Sequence, residues 1–293
     1  MVAPGWLVLE QPGPWGAKAP TQSRLDPDFG GRIDKAAKDA GVRFGLIRAP
    51  GRHADDDAVA STRQVYAACT TPGRTWLLAG RIHDPAEFGS IDLRALAAGD
   101  RDAVMASVPA LEPADHAVLL VCTNAKRDAC CGRFGRPIAQ ALADRAPGRV
   151  WESNHLGGHR FAPTVAVLPS GMMHGQVDID MAGMILKAAE DGYAVLSGIR
   201  GRSAWTKPGQ VADIAVRESI EEDRLDVLSV TGESPTADGY EVTVEHTDGR
   251  AWTVRVDAAT ADPPRPDSCG KEPYDMKILT AAGITGTPQS SHA

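Results

Sequence analysis

Residues His116 to Ala146 read HAVLLVCTNAKRDACCGRFGRPIAQALADRA. The run HAVLLVC is continuously apolar and short, which predicts a buried strand closing at Cys122. GRPIAQALADRA predicts a helix from Gly135 to about Ala146, stopped by Pro147-Gly148, with Cys131 at its opening. One cysteine therefore ends a strand and another begins a helix. Downstream, VWES (Val150 to Ser153) is short and extended, and NHLGGHR carries His155 and His159. PTVAVLP and GMMHGQV then form a hairpin-like pair about Ser170-Gly171. DMAGMILKAAEDG predicts a helix capped by Asp180, with Met181, Met184, Ile185 and Ala188 on one face and Gly192 as its stop.

The same order stands upstream. WLVLE (Trp6 to Glu10) predicts a strand closed by the turn QPGPWG. Asp26-Pro27 starts a helix that Gly41 stops. VRFGLIR (Val42 to Arg48) is a second strand; after a polar loop, RQVYAAC and RTWLLAGRI are two more joined by TTPG, and IDLRALAAG is a short helix. Two passes of strand, helix, three strands and helix predict an α/β chain of two tandem thioredoxin-like units, although no residue-level repeat is visible. The expected spans are 1–112 for a unit without ligands and 113–200 for a unit with them. Residues 201–293 form a small α+β extension: YAVLSGIRGR leads into a helix from Pro208 to Ile220, and VTVEHTDGRAWTVRV alternates about Asp248-Gly249 as a hairpin. The tail from Asp262, with PPRP and SSHA, is expected to be a loosely attached arm.

The bulk numbers exclude several classes. Apolar residues make up 43% and charged residues 24% of the 293 positions, and mean hydropathy is -0.22, as in ordinary globular proteins. The net charge of -7 argues against a nucleic-acid binder. No apolar run approaches the roughly 20 residues a bilayer requires, and the N-terminus lacks a leader pattern; the expected location is the cytoplasm. Five cysteines, odd in number and unevenly spaced, suit a reducing compartment better than a disulfide scaffold.

In a thioredoxin-like sheet the strand starting near Pro163 runs antiparallel to the strand ending at Cys122, so the cysteine pair and the histidine pair meet. Two thiolates and two imidazoles complete a four-donor set that suits zinc or a [2Fe-2S] cluster. HLGGH lacks the glutamate of a helical zinc-protease motif, and Gly157-Gly158 disfavours a helix. Eight residues between Cys122 and Cys131 exceed the two to four of a zinc finger, and a longer loop can wrap something larger than one ion. Gly157 and Gly158 let backbone approach such a group. Thr123 and Asn124 either donate hydrogen bonds to a ligand sulfur or cap the turn. Cys69 belongs to the core; Cys130 is either a buried neighbour or the ligand in place of Cys131. Trp151 and Phe161 flank the histidines as shields or as core. No C-x-x-C motif, nucleophile elbow or carboxylate pair supports a thiol oxidoreductase or a hydrolase. A runner-up reading is a structural zinc-binding interaction module.

CTNAKRDACCG, WESNHLGGHRFAPTVAVLPSGMMHG, GIRGR and the late SCGK resemble the sucrase/ferredoxin-like family, thioredoxin-like ferredoxins with bis-histidinyl [2Fe-2S] ligation. The likeness is continuous from about Leu119 to Arg202. It implies Cys122, Cys131, His155 and His159 as ligands, and a cis proline at Pro163 facing the ligand loop. Cys269 in DSCGKEP matches a family element of unclear purpose. Histidine ligation implies a potential in the Rieske range of about -150 to +300 mV, above the about -400 mV of all-cysteine clusters, and one that falls as pH rises. Seven basic against three acidic residues between Cys122 and Arg160 give +4, a rim suited to an acidic redox partner, a reductase or a ferredoxin. Nothing supports sucrase activity.

Overall fold

The structure is a computed structural model that describes residues 2–51 and 61–287; most of the polar loop after Arg48 and the closing SSHA lie outside the described residues. The first half contains β1 (Gly5–Glu10), α1 (Pro27–Asp39), β2 (Val42–Arg48), β3 (Arg63–Cys69), β4 (Trp76–Ile82), α2 (Leu93–Ala98), α3 (Arg101–Ser107) and β5 (Glu112–Ala114). The second contains β6 (Val118–Cys122), α4 (Ala129–Ala143), β7 (Val150–Ser153), β8 (Thr164–Leu168), β9 (Met172–Gly175), α5 (Ile179–Glu190) and β10 (Ile199–Arg202). All ten strands join one sheet in the order β10-β9-β8-β6-β7-β2-β1-β3-β4-β5.

The order carries a repetition. β1 pairs parallel with β2 and antiparallel with β3, which pairs antiparallel with β4. β6 pairs parallel with β7 and antiparallel with β8, which pairs antiparallel with β9. The two sets meet where β2 and β7 run antiparallel, Ile47 opposite Ser153 and Arg48 opposite Glu152. This mixed α/β sheet is compatible with a thioredoxin-like fold.

β6 shows why the sheet is covered on both sides. All five of its residues are buried; Val118, Leu120 and Cys122 enter one core with Trp6, Trp151 and Leu156, and Leu119 and Val121 enter another under α4 and α5 with Ile138, Leu142 and Ile185. Alternation puts successive side chains on opposite faces, and each fully buried Leu or Val contributes about 1.5–3 kcal/mol.

Two helices differ from expectation. α4 starts at Ala129 rather than Gly135 and ends at Ala143 rather than Ala146. Its N-cap is Asp128, whose Oδ1 accepts from the Cys130 N–H at 2.9 Å. Gly132, Gly135 and Pro137 disguise it in sequence, yet the glycines are needed for close packing: a Cβ on Gly135 would lie 2.2 Å from the Cys122 carbonyl oxygen. α5 is capped by Asp178, accepting from Met181 N–H at 2.8 Å, and not by Asp180. Its buried residues are Ala182, Ile185 and Leu186, whereas Met184 is 57% exposed; packing against β8 selects the neighbouring stripe. α3 has no counterpart among the elements expected from sequence.

The remaining chain forms α6 (Lys207–Ile220) and a four-stranded antiparallel sheet of β11 (Leu228–Pro235), β12 (Gly239–His246), β13 (Ala251–Thr260) and β14 (Lys277–Thr287). α6 packs Ala212 and Val216 on Val242, Val244, Val254 and Val256. The expected loose arm is corrected here: β14 pairs with β13 from Thr260 opposite Lys277 to Ala251 opposite Thr287. The proline cluster before it hides a strand whose partner is supplied by the hairpin.

Candidate metal centre

Cys122 is the last residue of β6 and Cys131 lies in the first turn of α4. Because β6 and β7 are parallel, with Cys122 opposite Ser153, the loop leaving β7 passes the same sheet end and delivers His155 there. β8 returns antiparallel, Val165 opposite Val121, so the segment from His159 to Pro163 stays beside the cysteine loop. The Ala162–Pro163 peptide is cis.

The four side chains converge as two linked pairs. The Cys122 thiol neighbours the Cys131 thiol and the His155 ring. The His155 and His159 rings stack with centroids 4.0 Å apart and planes at 12°. The Cys131 thiol, the His155 ring and the Leu156 backbone hold the Cys122 thiol well below its ordinary pKa despite burial. Donation to Cys122, reinforced by burial, pushes the Cys131 thiol up. Burial and the neighbouring His155 lower the His159 pKa, which keeps its ring neutral and its lone pair available.

Three observations test whether these residues fit a bound metal group. His159 Nδ1 is buried and has no hydrogen-bond partner among the described residues; such orphaned nitrogens are rare unless something else fills the position. The donor types are two thiols and two imidazoles, a set shared by zinc and by histidine-ligated [2Fe-2S] centres. Among the described residues no three of the four bring their donor atoms all within 4.8 Å of one another. A single tetrahedral zinc with bonds near 2.3 Å needs its donors about 3.8 Å apart. The four donors thus stand as a thiol pair and an imidazole pair rather than as one compact donor group.

The other singled-out residues divide. Thr123 Oγ1 donates to Glu152 Oε2 at 2.8 Å, and Asn124 Nδ2 donates to the Gly16 carbonyl at 3.1 Å; neither donor is directed at a thiol, because the first half and β7 claim both. Gly157 and Gly158 have φ of +86° and +68°, a region that only glycine enters cheaply. Trp151 is core, its Nε1 donating to the Gly148 carbonyl at 3.0 Å. Phe161 lies beneath two guanidinium groups, Arg200 3.6 Å and Arg160 4.5 Å from its centroid.

Cys130 and Cys269 form a disulfide across 139 residues of sequence, so the uneven cysteine pattern conceals one bridge, and Cys69, Cys122 and Cys131 remain thiols. The bridge corrects the reading of Cys130 as a buried bystander and of the arm as loose. Asp128 Oδ2 accepts from Ser268 Oγ at 2.8 Å and from Cys269 N–H at 2.9 Å. Asp128, Cys130 and Cys269 thus gather three potential metal donors within 4.8 Å, but sulfurs bonded to each other are not thiolates, and only reduction would turn this group into a ligand set.

A family model described as Sucrase/ferredoxin-like matches residues 40–201. The chain belongs to the sucrase/ferredoxin-like family. The matched span runs from just before β2 to β10 and includes Cys122, Cys131, His155 and His159. No curated protein and no solved structure matches the chain. Among the described residues no helix is long and apolar enough to cross a membrane.

Several residues that shape this candidate site carried no recognisable sequence signal. Arg43 on β2 donates through Nη2 to the His155 carbonyl, a contact made only because β2 and β7 are neighbours. Arg200, after α5, lies against the histidine loop, its Nη2 3.1 Å from where a Gly158 Cβ would stand. Asp128 was legible in principle: an aspartate two residues before the cysteine pair is a helix-cap signal.

Proposed function

We propose that Cys122, Cys131, His155 and His159 hold a [2Fe-2S] cluster and that the protein carries electrons. The observation that supports this best is the convergence of a thiol pair and an imidazole pair from two separate loops, with the His159 Nδ1 lone pair buried and unmet. When bound, such a cluster supplies one-electron redox chemistry at a potential raised by its histidines.

The chain's own residues prepare for that role. Cys122 is already biased toward thiolate, whereas Cys131 gives up its proton on ligation, so uptake of metal releases protons. Gly157 and Gly158 allow the histidine loop to turn closely around the site. The imidazole N–H edges can exchange protons as negative charge is added, so the potential falls as pH rises. The basic rim, in a chain of net charge -7, would attract an acidic redox partner, either a reductase or a ferredoxin. We assign no nucleic-acid or membrane partner and place the protein in the cytoplasm. Residues 1–112 and 113–200 are read as tandem thioredoxin-like units, with 201–293 as an appended extension.

Aerobic purification with an optical spectrum and iron and zinc analysis tests the reading. The expected protein is brown, carries two irons per chain as the [2Fe-2S] assignment requires, and gives a Rieske-like EPR signal when reduced. His155→Cys should retain the cluster, lower its potential and flatten the pH response. Colourless protein with one equivalent of zinc would replace this reading by the structural zinc module.

A further inference from the structure

Beside the histidine pair lies a cavity of about 510 Å³, within the roughly 300–1,000 Å³ typical of small-molecule sites. One wall is the histidine loop with His155, His159 and Phe161; the facing wall is α6 and β14 with Val211, Ile214 and Leu279. Five cations, Arg127, Arg160, Arg200, Lys207 and Lys277, line it, against a single acid, Asp267.

Arg200 is the unusual member. It is half-buried and stacked on Phe161, with Arg160 on the same ring. Burial and the neighbouring Arg160 lower its pKa to about 10, and among the described residues it has no carboxylate partner. Buried cations are ordinarily paired. Two guanidinium groups sharing one aromatic ring repel each other unless an anion lies between or beside them.

We infer that this cavity binds a small organic oxyanion, its carboxylate or phosphate head held by Arg200 and Arg160 and its apolar body against Val211, Ile214 and Leu279. Guanidinium forks match planar oxyanions through paired hydrogen bonds. The apolar wall selects against a bare inorganic ion. The cavity shares His155 and His159 with the proposed cluster site, but the groups assigned to the anion, Arg200, Arg160, Val211, Ile214 and Leu279, are not among the proposed ligands.

Isothermal titration of the full-length protein tests this with 1-naphthoate and phenyl phosphate as the two head types, sulfate as the bare head and 1-naphthalenemethanol as the neutral body. Saturable binding of one equivalent of at least one organic anion is expected, with sulfate competing weakly and the neutral alcohol failing to bind. Arg200→Gln should weaken binding by about tenfold or more, as the loss of a charge-assisted hydrogen bond requires. Ile214→Trp, which fills the cavity and leaves its charges, should abolish binding of the organic anions. This second variant keeps the test decisive if Arg200→Gln does not fold. No saturable binding by either organic anion, equal binding of the neutral alcohol, or unchanged affinity in a folded variant would overturn the inference. Iron content measured on the same samples reports separately on the cluster.

Discussion

Arg48 donates from Nε and Nη2 to one oxygen of Glu152, at 2.9 and 2.8 Å, across the antiparallel seam between β2 and β7. Both side chains are buried, 4% and 5% exposed. Arg48 also donates to the Gly13 carbonyl at 2.9 Å and stacks 4.4 Å over Trp15, while Thr123, next to Cys122, shares the same carboxylate oxygen. The two halves of the sheet are thus joined by a charge pair one residue from the cysteine loop. Glu152→Ala removes the buried carboxylate oxygen that accepts from Arg48 Nε and Nη2 and from Thr123 and should cost about 3–5 kcal/mol. Urea unfolding of Glu152→Ala, Arg48→Met and the double variant checks it; the double should lose less than the sum of the singles.

The Cys130–Cys269 bridge makes a counting prediction. Alkylation of the denatured, unreduced protein should label three cysteines, Cys69, Cys122 and Cys131. Prior reduction should raise the number to all five. Cys269→Ser should lower stability by about 2–4 kcal/mol, the typical contribution of a long-range disulfide, and should increase protease cleavage between Asp262 and Met276. Five labels without reduction would show that the bridge does not form.

Gly135 separates α4 from β6 by the width of a backbone. A methyl group there meets the Cys122 carbonyl oxygen at 2.2 Å, and neither a strand carbonyl nor a helix backbone yields cheaply. Gly135→Ala should therefore cost about 1–3 kcal/mol by overpacking. It should also push Cys131 away from Cys122, so that, on the proposed cluster reading, iron bound per chain falls more than the thermal midpoint alone would imply. Gly283→Ala, where a Cβ meets nothing within 4 Å and the backbone is not left-handed, is the control that leaves metal content unchanged.

Acid should reach the C-terminal sheet through Glu222. Its hydrogen bonds from Arg224, side chain and backbone, and from His246 hold its pKa at about 2, against an ordinary value of 4.5. A carboxylate depressed on folding stabilises fully above its unfolded pKa, and that contribution is lost as pH falls toward the folded value. Glu222→Gln should thus be less stable than the parent by about 1–2 kcal/mol at neutral pH. The gap should close between about pH 4.5 and pH 2. A gap that stays constant across that window in denaturant titrations would mean Glu222 is not the group responsible.

Much of this was legible in the chain. Strong periodicity and punctuation marked β1, α1, β2, β3, β4, β6 and α6, and the spacing of Cys122, Cys131, His155 and His159 brought the candidate site into view. What escaped shares one physical cause, that tertiary partners overrode local preference. Gly132 weakened the helix signal before Gly135, yet Asp128 caps the helix and Gly132 and Gly135 pack it closely. Lys277–Thr287 follows a proline-rich stretch and becomes a strand because β13 offers it an edge. Arg43, Arg48 and Arg200 approach the site from other elements, and no local window can report a neighbour supplied by sheet order.

The antiparallel seam has a further consequence for what can be cut away. Without the first half, β7 would be a bare margin of four residues, Val150–Ser153, presenting open N–H and C=O groups beside Trp151. Such margins recruit foreign strands and seed aggregates. The first half therefore serves as a permanent shield for the strand that launches the histidine loop, and a truncated chain lacking it should accumulate as inclusion bodies rather than as a smaller working protein.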